Sequence, residues 1–133
     1  MSPDAGDVRQ WLKKAAHDRE VAELAVKNVP AITDVAAFHT QQAVEKLLKG
    51  YLVFHEIEFE KIHDLEILLS HCAEQDPAFL GLLDRVEPLT SYAVRFRYPG
   101  PGDPTVEQVA SALRVVTEVE TFVLDRLPPE VRP

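Results

Sequence analysis

Cysteine is almost missing from this chain. Cys72 stands alone among 133 residues, so no internal disulfide can form. A paired-Cys metal site is excluded for the same reason. His71 precedes Cys72, but neighbours on a helix point apart and no second Cys/His pair completes a tetrahedral set. No metal and no cofactor is expected. Glycine is scarce too, at five residues, which favours regular structure over loops. There is no Gly-rich phosphate loop and no nucleophile elbow. No apolar run is long enough to span a bilayer, and the N-terminus carries no signal-type segment. A soluble protein of the cytoplasm is the expectation. Basic residues number fourteen against twenty-two acidic ones, a formal charge of −8. That charge opposes general binding to DNA or to an anionic membrane, so any phosphate must be met by a local patch.

What is present reads as helix. No stretch alternates polar and apolar residues long enough to argue a strand, whereas apolar residues recur at three- and four-residue spacing. The length predicts a single domain, residues 1–133, with a core from about 7 to 127. The spacing predicts an all-α, up-and-down bundle of about five helices. In the first, Asp7 is a candidate N-cap with Gln10 three residues on, and Val8, Trp11, Leu12, Ala15, Ala22, Ala25, Val26 and Val29 form the inner stripe. Asp18 and Arg19 interrupt that stripe, where solvation at the edge is expected ahead of a buried polar contact; Pro30 closes the segment.

Thr33 or Asp34 caps the second helix, which runs to about His55. Ala37, Val44, Leu47, Leu48, Tyr51 and Leu52 face a core, with Phe38 and Tyr51 as large packing groups. His39, Gln42, Lys46 and Lys49 form a polar row on another side. The plain reading of such a row is a solvated face. From Glu56 to Asp76 there are seven acids and one base, Lys61, so that side repels phosphate. His63 or Asp64 opens a third helix with Leu65, Leu68, Leu69 and Cys72 inward. Asp76-Pro77 opens a fourth, carrying Phe79, Leu82, Leu83, Val86 and Leu89, in which Pro88 predicts a kink near Asp84 to Glu87. Asp103-Pro104, or the capping-box pair Thr105 and Gln108, starts a fifth. Its broad apolar face, widened by Val115 and Phe122, is either core or a surface shared with a second copy.

One cluster concentrates cationic and aromatic groups: Tyr92, Arg95, Arg97 and Tyr98. Arginine offers a planar fork to phosphate and tyrosine a stacking face to a base, the parts needed for a nucleotide or an RNA end. The alternative is structural, with Tyr92 packed in the bundle and the arginines answering helix carbonyls or carboxylates.

Three separated strings, Phe38 to Lys49 (FHTQQAVEKLLK), Lys61 to Leu65 (KIHDL) and Arg95 to Pro99 (RFRYP), resemble the HEPN domain (higher eukaryotes and prokaryotes nucleotide-binding) over nearly the whole chain. The resemblance implies a five-helix bundle that homodimerises. It also implies frequent pairing with a minimal nucleotidyltransferase in a toxin–antitoxin arrangement. Active members are metal-independent ribonucleases carrying an Arg followed after four to six residues by His. This chain departs from that motif: Gly100, Pro101 and Gly102 stand downstream of Arg95, and Gly102, Asp103 and Pro104 downstream of Arg97. No catalytic residue is therefore assigned. The expectation is a nucleotide-, RNA- or partner-binding module using Arg95, Arg97, Tyr92, Tyr98, His39, Gln42 and Lys46. The alternatives are a ribonuclease with a displaced acid/base such as His39, and a purely structural homodimer.

Overall fold

A computed structural model describes residues 5–59, 63–95, 99 and 102–132. Helix α1 spans Ala5–Lys27, α2 Thr33–Phe54, α3 Leu65–Gln75, α4 Leu83–Thr90, α5 Tyr92–Arg95 and α6 Val106–Leu124, with a 3-10 turn at Pro77–Leu82 before α4. Among the described residues there is no strand, and no helix is long and apolar enough to cross a membrane. The arm from Pro77 through α5 counts as the fourth of five helical arms, as the apolar spacing predicts.

The central member is α2, which packs against α1, α3, α4, α5 and α6. Its inner positions Ala37, Val44, Leu47, Leu48, Tyr51 and Leu52 are all buried. Small residues let α1 lie close and antiparallel along it. A Cβ at Gly50 would fall 3.2 Å from Leu12 Cδ2 and 3.3 Å from Trp11 Cβ, while at the other end the Ile32 amide donates to the Ala25 carbonyl at 2.9 Å. The apolar face of α6 is core: Val109, Ala112, Val116, Val119 and Val123 are buried. Phe79, wholly buried, joins the elements, its ring 4.6 Å from Tyr51 and 4.8 Å from Phe122. Cys72 occupies the place of a small apolar residue. It is fully buried, and burial pushes its thiol up to about 12.

Helix starts follow local chemistry with two departures. Asp64 caps α3, accepting from the amides of Glu66 and Ile67. Thr105 and Gln108 close a reciprocal capping box on α6, with Gln108 N donating to Thr105 Oγ1 at 3.0 Å and Thr105 N to Gln108 Oε1 at 2.8 Å. In contrast, α1 begins at Ala5, which puts Asp7 inside its first turn. Ile32 precedes α2 without a side-chain cap, so Thr33 and Asp34 also lie inside a first turn. There the Asp34 carboxylate still meets the positive end of the helix dipole.

The fourth arm is interrupted at its two ends and not broken between Asp84 and Glu87. Helix α4 runs unbroken through Pro88 to Thr90, and the discontinuities are the 3-10 junction at Leu82–Leu83 and the turn at Ser91. Because α4 starts as late as Leu83, Pro88 sits in its second turn and only the Asp84 carbonyl loses an amide partner.

Asp76 ties this arm to the end of α6. Its carboxylate accepts from the Ala78 amide at 3.0 Å and from Arg126 Nε at 2.8 Å. The backbone bond first, then the Arg126 bond, hold the carboxyl below its ordinary value of 3.8. A depressed folded-state value means the contribution is present above that ordinary value and is lost as pH falls through the folded one. Asp76→Asn should therefore unfold with a shallower pH dependence than the wild type below about pH 4, read by circular dichroism in an acid titration. Parallel acid titrations of the two proteins would contradict this.

Candidate functional site

The polar row of α2 is not a solvated face. Asp18 of α1 reaches across to it and accepts from two of its members at once, His39 through Nδ1 at 2.8 Å and the Lys46 ammonium. Asp18 is only 7% exposed. The reading of Asp18 as a solvated edge is thus corrected: it sits on the inner stripe of α1, in step with Ala15, Ala22 and Ala25, where a carboxylate persists only with partners. Because an ionised carboxylate only accepts, the His39 hydrogen lies on Nδ1, and Nε2 is left as an acceptor in the neutral ring. His39 and Lys46 remain about a quarter open, with side-chain exposures of 27% and 24%. Next to Asp18, Arg19 pairs with Glu120 of α6, and at longer range with Glu23.

A second network runs deeper. Gln42 Nε2 donates to Gln41 Oε1 at 2.7 Å, and Gln41 Nε2 in turn donates to the His63 carbonyl at 3.1 Å and to Glu45 Oε1 at 3.3 Å. Glu45, 3% exposed, also holds Lys49 Nζ at 3.1 Å and meets His63 Nδ1 at 3.2 Å. Lys49 is therefore a buried ion, 6% exposed, with Trp11 and Phe59 rings 5.7 and 5.5 Å from its ammonium. His63 leaves the capping of α3 to Asp64; its ring is largely exposed and touches the network only through Nδ1.

At the far end of the fourth arm, Tyr92 is 8% exposed and burial raises its phenol, with Arg95 opposing the shift. Its ring helps wall a depression of about 170 Å³ between α4 and α6, beside Arg85, Pro88 and Gln108. Arg95 ends α5 and is exposed. Arg97 and Tyr98 lie outside the described residues. Thus His39 and Lys46 are brought together on one carboxylate and Gln42 is tied to the Glu45 network, while Tyr92 and Arg95 share a separate short helix.

Sequence reasoning passed over Gln41 and Glu45 and gave Asp18 no role at the site. The signals were there: an acid falling on the apolar phase of α1, and Glu45 four residues ahead of Lys49, the favourable order for a helical ion pair. Among the described residues no group of three or more His, Cys, Asp or Glu side chains could hold a metal.

These features define a helical bundle built around a polar, internally bonded central helix. The chain belongs to the HEPN domain family, whose family model matches residues 8–127. The crystal structure of an archaeal HEPN homologue is similar, with a TM-score of 0.73 at 25% identity, covering 90% of this chain and 96% of that one. No curated protein matches it significantly.

Proposed function

We propose that this HEPN domain acts as a binding and interaction module, not as a ribonuclease. It would work as a homodimer that engages a nucleotide, an RNA end or a minimal nucleotidyltransferase of a toxin–antitoxin pair. The residues assigned to this are Tyr92 and Arg95 of α5, Arg97 and Tyr98 that follow them in the sequence, and the part-open edge of His39, Gln42 and Lys46. One observation carries the reading: no arginine in the chain is followed, after four to six intervening residues, by a histidine. Without that imidazole the family's acid/base for a ribose 2′-hydroxyl is missing from its usual place after the arginine.

Calorimetric titration with ATP, GTP and short RNA tests it. Saturable binding is expected for the wild type, and its loss in a folded Arg95→Ala/Arg97→Ala variant. A titration unchanged by that substitution contradicts the assignment of the arginines.

A second reading is favoured by the Asp18–His39 contact. A carboxylate on Nδ1 fixes the ring and frees Nε2, as a general base requires. On this reading RNA is cut, and His39→Ala abolishes cutting.

A further inference from the structure

Large apolar side chains left open to water gather at one end of the α1–α2 hairpin. Val21 and Leu24 of α1, Val29 and Ile32 of the connection and Val35 of α2 are exposed, Leu24 by 64% and Val29 by 92%, whereas Ile67, Leu80 and Val106 stand singly on other elements. Single apolar residues are ordinary on a surface, but a contiguous patch needs a cover. The other end of the same hairpin holds a groove of about 300 Å³, lined by Asp7, Gln10, Trp11, Lys14 and Val53. Trp11 is half-buried there, its ring held by Phe59, which meets it edge-on at 6.1 Å. Both features lie on one face. Asp7, Trp11, Lys14, Asp18, Val21 and Asn28 follow one another at helical spacing along α1, with Leu24 at the outer margin, and Val35, Gln42, Lys46 and Val53 do the same along α2.

The two ends are matched about the middle of the hairpin. The bonds of Asp18 to His39 and Lys46 fix the level at which α1 passes α2. Trp11 and Leu24 lie about 10 Å to either side of that level along α1, at 1.5 Å per residue. Val53 and Val35 lie about 14 Å to either side of the point between Gln42 and Lys46 along α2. A half-turn about an axis crossing both helices at this level therefore carries the apolar tip of one copy onto the groove of another. We propose that a second copy of this chain covers the hairpin face in this register, α1 antiparallel on α1 and α2 on α2. Leu24 of each copy enters the other's groove against Trp11, and Val35 of each meets Val53 of the other. The edges formed by His39, Gln42 and Lys46 then close on one another at the two-fold. The inference rests on the homodimeric reading above and adds that this edge is built from both copies. Such a contact uses one patch twice. The Lys46 ammonium is paired with Asp18 within each copy, so the copies meet at the axis without facing bare ammonium groups. A face two helices wide, about 20 Å, and about 30 Å long from Asp7 to Asn28 offers about 600 Å² per copy, the lower bound for a specific, stable dimer.

Sedimentation equilibrium of the full chain tests this, with circular dichroism to check that each variant is folded. The wild type is expected to be a dimer. Leu24→Glu, a change at an exposed position, should weaken association about a hundredfold or more, because a symmetric dimer carries the change twice. It should also move the emission of Trp11, the only tryptophan, to the red as the groove opens to water. Register is read by disulfide trapping, for which the buried Cys72 is no competitor. Val35→Cys and Val53→Cys chains, mixed and oxidised, should give a cross-linked mixed dimer, and Val35→Cys chains alone none. A dimer that survives Leu24→Glu, or that cross-links Val35→Cys to itself, overturns this face and leaves the homodimer standing. A monomeric wild type overturns both.

Discussion

Glu45→Ala is expected to lower the unfolding free energy by about 3–5 kcal/mol, the cost of leaving a buried ion without its partner. The Glu45 carboxylate serves Lys49 Nζ at 3.1 Å, His63 Nδ1 at 3.2 Å and Gln41 Nε2 at 3.3 Å. Lys49 cannot turn out to water without opening the contact of α2 with Trp11 and Phe59. Cation–π attraction from those rings, about 2 kcal/mol for a desolvated cation, falls short of replacing a carboxylate. The pair itself is worth far less than its breakage costs, because both charges had to leave water. Glu45→Leu/Lys49→Met should therefore recover most of the stability lost by the single change. Urea unfolding of the three proteins, with slopes compared to check two-state behaviour, measures both quantities. A loss below about 1 kcal/mol in Glu45→Ala, the level of exposed ion pairs, would show that Lys49 is solvated and contradict the burial argument.

Phe79→Ala should cost about 3–5 kcal/mol as well, by removing transferred apolar surface and leaving a cavity. Phe79 is fully buried and its ring edges onto Phe122 and tilts against Tyr51. One truncation thus loosens α2, the fourth arm and α6 together. Each aromatic contact adds about 0.5–1.5 kcal/mol beyond area. Phe38→Ala should cost clearly less. Phe38 is half-buried, set edge-on to His39 at 5.3 Å, and part of its surface already meets water. Thermal unfolding of both variants under one condition ranks them, and a Phe38 loss equal to or above that of Phe79 would contradict this placement of the core.

The contrast between these two phenylalanines shows what the linear pattern carries. Spacing alone placed the helices, because a bundle repeats one rule along its length, and the caps at Asp64 and Thr105 obey chemistry confined to four residues. Which phenylalanine is deepest depends on where several arms converge, and no local pattern holds that. The same limit explains Asp18. A carboxylate on an apolar stripe is legible as an anomaly, but its partners stand on another helix, 21 and 28 residues away. The reading of the polar row of α2 as a solvated face fails at Lys49 for a related reason. The stretch after α2 brings Phe59 over that side, and helical periodicity says nothing about what a following segment covers. At the arginines, the missing histidine was readable at once, since that motif is defined by spacing along the chain.

The most direct test of the non-catalytic reading is incubation of nuclease-free protein with labelled single-stranded RNA, without metal, followed by gel resolution of the products. The account predicts intact RNA at protein concentrations that saturate binding, for the wild type and for His39→Ala alike. RNA cut by the wild type and spared by His39→Ala or Arg97→Ala would contradict it and establish the Asp18-held imidazole, or the arginine, as part of a ribonuclease.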